Sequence, residues 1–186
     1  MLGQAAFAVR APDRRGRALL PTAILMRLAL YQPDQAGNVG AAMRLAACLG
    51  VPLDVIEPCG FPWGDKALKR AGMDYAEIAI VTRHADWTAF AAALTGRLVL
   101  LTTTGGTLLP EARFETGDTL LLGSESAGAP PEVHARADLR VRIPLTTGAR
   151  SLNLSVAAGI ALAEALRQTD LWPTQGTIPP DPEQRC

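Results

Sequence analysis

From residue 26 onward the chain alternates between two hydrophobic patterns, and before that residue it shows neither. "MRLALYQ" is a short aliphatic run closed by Pro33, which reads as a buried strand. "NVGAAMRLAACLG" then places apolar residues every three or four positions. This predicts a helix with Asn38 as its N-cap and Gly50 just past its end. "VPLDVIEP" is again a strand with a proline stop, and "IAIVT", "RLVLLTT", "TLLLGS" and "LRVRIPL" supply four more. Helical stretches fall at Asp65–Arg70, Trp87–Leu94, Pro131–Ala135 and Ser151–Gln168. Strands alternating with helices predict an α/β fold, a mostly parallel sheet flanked by helices. Residues 1–25 mix Arg, Pro and Gly without a period, and 171–186 carries four prolines. The expected organisation is one domain over 26–170, preceded by an extension over 1–25 that is flexible or not natively translated. A loose tail is expected over 171–186.

Composition narrows the classes. A length of 186 residues suits one core, and 48% hydrophobic residues is ordinary for a globular chain. No apolar run approaches the roughly 20 residues of a membrane span, which argues against a bilayer role. Cys48, Cys59 and Cys186 are odd in number and lack ligand spacing. They point to a reducing, cytoplasmic compartment rather than a disulfide framework. His84 and His134 stand far apart with no zinc or triad pattern around them, so no metal is expected. Formal charge is zero, but residues 1–25 hold four arginines against one aspartate and the remainder is net −3. RNA binding by the main domain would therefore depend on local patches.

Three polar clusters sit at strand or helix ends. In the first, Val39, Ala42, Met43, Leu45, Ala46 and Leu49 share one helix face, and Arg44 falls opposite, one turn from Gly40. Arg44 is either a solvated surface arginine or a functional group beside a notch. In the second, "LLLGSESAGAP", a buried strand runs into Gly123, Glu125 and Gly128, where open α/β sheets bind ligands. The same stretch also suits a tight turn before a helix. No G-x-S-x-G, G-x-G-x-x-G or Walker pattern is present, which sets aside the common hydrolase, dinucleotide and NTP sites. In the third, "RSLNLSVAAGIALAEAL", one capping oxygen would suffice, and Ser151 can supply it. Arg150, Asn153 and Ser155 are then surplus. The helix itself is apolar nearly all round, so the sheet covers one side and a second subunit is the natural cover for the other. Asn153 buried there without a partner would cost on the order of 1–3 kcal/mol, so it needs backbone, ligand or RNA.

Taken together, N-x-G-x-x-x-R (Asn38 to Arg44), "LLGSESAG" and "IPLTTGARSLNLSVAAGIAL" resemble the SPOUT superfamily of knotted RNA methyltransferases in order and spacing. The stretch "EPCGFPWGDKALKRAGMDYAEIAIVTRHADWTAF" is similar to the subgroup that 2′-O-methylates the wobble nucleotide of tRNA. The resemblance implies a C-terminal deep trefoil knot, a homodimer, a tRNA substrate and S-adenosylmethionine as cofactor. It implies cofactor contacts at Leu101, Gly123, Ile143 and Ser151, with Thr102 and Leu152 nearby. Arg44 would act on the ribose 2′-hydroxyl, as base or as electrostatic stabiliser, with Asn38, Glu125, Ser151 and Asn153 positioning it and the substrate. Ala127 departs from the arginine often found at its position. The competing readings are a SPOUT 2′-O-methyltransferase for another tRNA or rRNA site, a non-catalytic RNA-binding dimer of the same fold, and an α/β enzyme for another nucleotide-like ligand.

Overall fold

A computed structural model describes residues 26–63, 75, 78–104 and 106–174. The helix expected over Asp65–Arg70, the extension over 1–25 and the tail beyond 174 lie outside the described residues. In chain order the elements are β1 Arg27–Tyr31, α1 Ala36–Leu49, β2 Leu53–Ile56, β3 Val81–His84, α2 Trp87–Ala93 and β4 Leu98–Leu101. They continue with β5 Thr107–Leu108, β6 Thr119–Leu122, α3 Pro131–Arg136, β7 Leu139–Arg142 and α4 Leu154–Thr169.

All seven strands pair in parallel, in the order β3-β2-β1-β6-β4-β7-β5. The chain steps outward from β1 to β3, then returns past β1 to build the other half. Strand order therefore diverges between β1 and β6, and such a switch point opens a crevice at the carboxyl ends of the strands. The central strands are continuous aliphatic runs because both faces are covered. One layer packs Leu28, Leu30, Val99 and Leu120 against α1 and α4. The other packs Ala29, Leu98, Leu100 and Leu121 with Phe90 of α2 and Val133 of α3.

Helix boundaries correct the expected caps. Helix α1 begins at Ala36 with Gln35 at its cap and no side-chain capping bond, so Asn38 is not the N-cap and its amide serves elsewhere. Gly50 closes α1 in the left-handed region at φ 69°, as its position predicts. Helix α4 begins at Leu154, capped by Asn153, whose Oδ1 accepts from the Ser155 and Val156 amides; Ser151 lies before the helix and caps nothing. The strand expected at 78–82 runs later, over Val81–His84, and β5 is too short to show a period. The notch expected beside Arg44 is closed, since Gly40 is buried.

Part of the cover of α4 comes from within this chain. Ala158 is fully buried within this chain, and Gly159 brings the Leu45 methyls of α1 to 3.9 Å of where a Cβ would stand. Helix α1 thus takes much of the role expected of a second subunit. Leu162 and Leu166 on the inner face each contribute about 1.5–3 kcal/mol by burial. Only Val156 and Ile160 remain as large exposed apolar groups on α4, at 48% and 41%.

A buried ion cluster joins the first three strands. Asp54 of β2, 2% exposed, receives Arg27 Nε and Nη2 at 2.7 and 2.9 Å and faces His84 Nε2 at 2.8 Å. Burial alone would raise the Asp54 carboxyl, but the bonds and charges of His84 and Arg27 outweigh it and hold the group below its ordinary value. A carboxyl depressed in the folded state stabilises above the unfolded pKa of about 3.9, and that stability is lost as pH falls through the folded value. Asp54→Asn is expected to cost about 3 kcal/mol at pH 7. It should also flatten the acid limb of the stability curve below about pH 4. Urea unfolding at several pH values checks both, and equal acid limbs in the two proteins would refute the assignment.

Candidate active site

The carboxyl ends of β4, β6 and β7 and the loops beyond them enclose an open cavity of about 960 Å³. Leu101 ends β4, while Gly123 and Ile143 are the first residues after β6 and β7. These three, with Thr102, Ser151 and Leu152, all line the cavity. The structure therefore brings together the six residues that the resemblance implies for the cofactor.

Local geometry explains the Gly123 loop. The segment after β6 doubles back so that Ser124 and Gly128 exchange backbone hydrogen bonds of 3.1 and 2.9 Å. A Cβ on Gly123 would overlap the Gly128 carbonyl carbon and the Ala129 nitrogen. Gly123→Ala must therefore push the loop outward, costing about 1–3 kcal/mol. We expect its Tm to fall by several degrees and affinity for S-adenosylhomocysteine to fall at least tenfold. Calorimetry showing unchanged affinity would mean that the loop does not shape a ligand site.

Three of the expected polar residues form one directional relay at the cavity edge. Asn153 Oδ1 accepts from Ser155 N at 3.0 Å, Ser155 Oγ at 2.7 Å and Val156 N at 3.4 Å. That fixes its oxygen inward, so its Nδ2 must point out, and it donates to Asn38 Oδ1 at 2.9 Å. Asn38 is then obliged to present Nδ2 to Glu125 Oε1, at 2.7 Å. The other carboxylate oxygen, Oε2, accepts from Asp34 N at 2.7 Å. Both Asn amides are oriented by this chain of donors and acceptors, from the helix α4 amides to a carboxylate.

Two expected residues stand apart from the relay. Ser151 lines the cavity but bonds no member of it. Arg44 does not line the cavity. It is exposed on α1, with its guanidinium 5.0 Å over the ring of Tyr75.

Sequence reading missed Asp34 altogether. Its backbone N–H holds Glu125, and its Oδ2 accepts from Ser126 N at 2.8 Å, so it clamps the β1–α1 loop to the β6–α3 loop. The only local signal was a Pro-Asp pair after a strand, which describes any turn. Arg150 and Arg142 also line the cavity. Arg150 is surplus to the α4 cap, and Arg142 is the last residue of β7. Cys59 offers no thiolate, because burial and Glu57 push its pKa up to about 11. Among the described residues no group of three or more His, Cys, Asp and Glu could hold a metal ion, and no helix is long and apolar enough to cross a membrane.

Known proteins resemble this chain in sequence and in fold. A protein from Ancylobacter novellus named tRNA (cytidine(34)-2′-O)-methyltransferase is 49% identical over 155 residues, 82% of this chain and 98% of the relative. A protein of the same name from Escherichia coli K12 is 41% identical over 77% of this chain and 94% of its own length. A solved structure described as giving insight into the 2-OH methylation of C/U34 on tRNA superposes with a TM-score of 0.75 at 44% identity, covering 77% of this chain and 95% of that one. An AdoMet-bound rRNA methyltransferase from Sinorhizobium meliloti superposes at 0.70 with 28% identity, over 77% of this chain and 56% of its own. The model of the SpoU rRNA Methylase family matches residues 25–163, a span holding the parallel sheet, the Gly123 loop and every member of the relay. Fold and sequence agree: this chain belongs to the SpoU rRNA methylase family.

Proposed function

We propose that this chain transfers a methyl group from S-adenosylmethionine to the ribose 2′-hydroxyl of the wobble nucleotide of tRNA, a cytidine or a uridine. The observation that carries the reading is the Asn153–Asn38–Glu125 relay on the edge of a cavity built by three strand ends. The near full-length similarity to tRNA (cytidine(34)-2′-O)-methyltransferases supports the choice of substrate.

The residues present fit the cofactor. Leu101, Ile143 and Leu152 give apolar walls for a flat base, and the loop backbones supply donors and acceptors for its edge. The volume of about 960 Å³ leaves room for a nucleotide beside it. When bound, S-adenosylmethionine supplies a methyl group already activated by a sulfonium, so no protein nucleophile is needed. The chain's own task is alignment and help with loss of the 2′-hydroxyl proton. Asn38 and Asn153, locked by the relay, hold the rim that a ribose would meet. A guanidinium is a fixed cation, so the role proposed for Arg44 is to stabilise negative charge growing on the 2′-oxygen rather than to abstract a proton.

The C-terminal knot implied by the resemblance belongs to this reading. It is supported by β4 lying between β6 and β7, with the loops after all three strands meeting at one cavity. A single domain over 26–170, a cytoplasmic location among tRNAs and a homodimer belong to it as well. For the homodimer, the exposed Val156 and Ile160 stripe beside the relay supplies the apolar surface. Ile160→Glu leaves the monomer core untouched and is expected to dissociate the dimer, measured by light scattering. A fully active monomeric parent would remove the dimer from the proposal.

The deciding experiment incubates the protein with S-adenosylmethionine and unmodified tRNA, then maps 2′-O-methylation along the RNA. Methylation confined to nucleotide 34 is the expected result. Methylation of rRNA only would favour the alternative in the family description, and no methylation with RNA binding intact would favour a non-catalytic dimer.

A further inference from the structure

The arginines in the described part of this chain differ in their partners: Arg44 stands over the Tyr75 ring, and Arg113 donates to the Ala112 carbonyl at 3.4 Å. Arg27, Arg83, Arg97, Arg136 and Arg167 each pair with a carboxylate. Arg140, Arg142 and Arg150 have no carboxylate partner among the described residues, and all three are exposed. The sequence outside residues 1–25 is net −3, so a run of unpaired cations here goes against the bulk charge. We propose that Arg140 and Arg142, with His134 beside them, form a phosphodiester-binding track for the RNA strand flanking the target nucleotide. This rests on the RNA reading above.

Strand geometry places the two guanidinium stems. Arg140 and Arg142 are separated by buried Val141, so they leave β7 on the same face. Arg140 sits opposite Leu100, whose side chain belongs to the α2–α3 layer, so the track runs along that side of the sheet. Two strand residues advance roughly 6.6 Å, the scale of the step between neighbouring phosphates on an extended strand. The backbone beneath is fixed. Gly106, at φ 82°, closes so tightly on Arg140 that any Cβ there would strike its carbonyl oxygen.

The surroundings suit a polyanion. A shallow depression beside the main cavity is lined by Arg140, His134 and Thr104 with small apolar neighbours, and by no carboxylate. Arg142 and Arg150 continue into the main cavity, where Glu125 is the one acidic wall residue among the described residues. Both Glu125 oxygens are already engaged by Asn38 and Asp34. A strand of phosphates would therefore meet donors along its path and no free acid. Contacts of this kind position RNA without reading its sequence.

The test compares wild type, Arg140→Gln and Arg140→Gln/Arg142→Gln for binding of unmodified tRNA across a salt series, with S-adenosylhomocysteine affinity and Tm measured alongside. We expect tRNA affinity to fall at least tenfold in the double variant, with the log–log salt slope reduced by roughly 1.4. Tm should hold, and Arg140→Gln alone should bind S-adenosylhomocysteine as the parent does. Arg140→Lys should recover most of the slope, because a phosphate accepts any cation. Unchanged tRNA affinity and slope would overturn the track, as would a wild type that binds no tRNA. Loss of S-adenosylhomocysteine affinity in Arg140→Gln would also overturn it, by assigning the arginine to the small-ligand pocket. A parent that binds tRNA with the expected slope but transfers no methyl would sink the proposed activity and leave the track standing.

Discussion

Replacing Arg44 by alanine is expected to lower methyl transfer to tRNA on the order of 10²–10³-fold, the loss typical of removing a charged group that stabilises the transition state. Affinity for S-adenosylhomocysteine should stay within a few-fold, because Arg44 is absent from the cavity wall. Stability should hold as well. The side chain is exposed and its described contact is the Tyr75 ring at 5.0 Å, worth about 0.5–1 kcal/mol at such a site. Arg44→Lys should also be poor, since a lysine ammonium lacks the planar fork of donors. Single-turnover assays at saturating tRNA, paired with calorimetry, separate chemistry from binding. Retained turnover, or lost cofactor affinity with turnover intact, would end the assignment.

Asn38→Asp is the sharper probe of the relay, because it changes one nitrogen to oxygen and leaves shape alone. The wild-type Nδ2 donates to Glu125 Oε1 at 2.7 Å. An aspartate there sets two carboxylates against each other at hydrogen-bond distance, and both cannot stay ionised at neutral pH without repulsion. Either one binds a proton or the Glu125 loop swings away. We expect at least a hundredfold loss of activity at pH 7–8, partly recovered toward pH 5–6 as the pair takes up one proton. Asn38→Ala should show no such acid recovery. A flat ratio of the two variants across pH would refute the directional relay. The Asn153 end survives in Asn38→Asp, since a carboxylate still accepts its Nδ2, so the defect should localise to the Glu125 loop.

How much of this was legible beforehand follows from the range of the interactions involved. The strands were visible because β1, β4 and β6 are buried on both faces, which forces unbroken aliphatic runs. Gly50 was visible because a left-handed helix end favours glycine. Asn38 and Ser151 were misjudged as caps for a physical reason. Short polar side chains at a helix start satisfy local amides whenever nothing distant competes, and sequence shows only the local choice. In the folded chain Asn38 bonds across 87 residues to Glu125 and across 115 to Asn153. Asp34 escaped notice for the same reason, its partners being 91 and 92 residues away. The share of α4 covered by α1 was not legible, because apolar periodicity says that a face is buried but not by what. Gly159 meets Leu45 of this same chain.

Asn153 is both the cap of α4 and the first link of the relay, with one oxygen accepting from three groups of the first turn. Fraying of that turn and disassembly of the catalytic edge are consequently one event. Local opening costs less than global unfolding, and helix starts stand near the low end of that scale. Under the proposed function, the fraction of molecules competent to react at any instant is then the fraction with that turn closed. Amide hydrogen exchange at Ser155 and Val156 would read the population directly, without substrate. Warming is then expected to silence the site well below the melting point, while spectra of the core still look native.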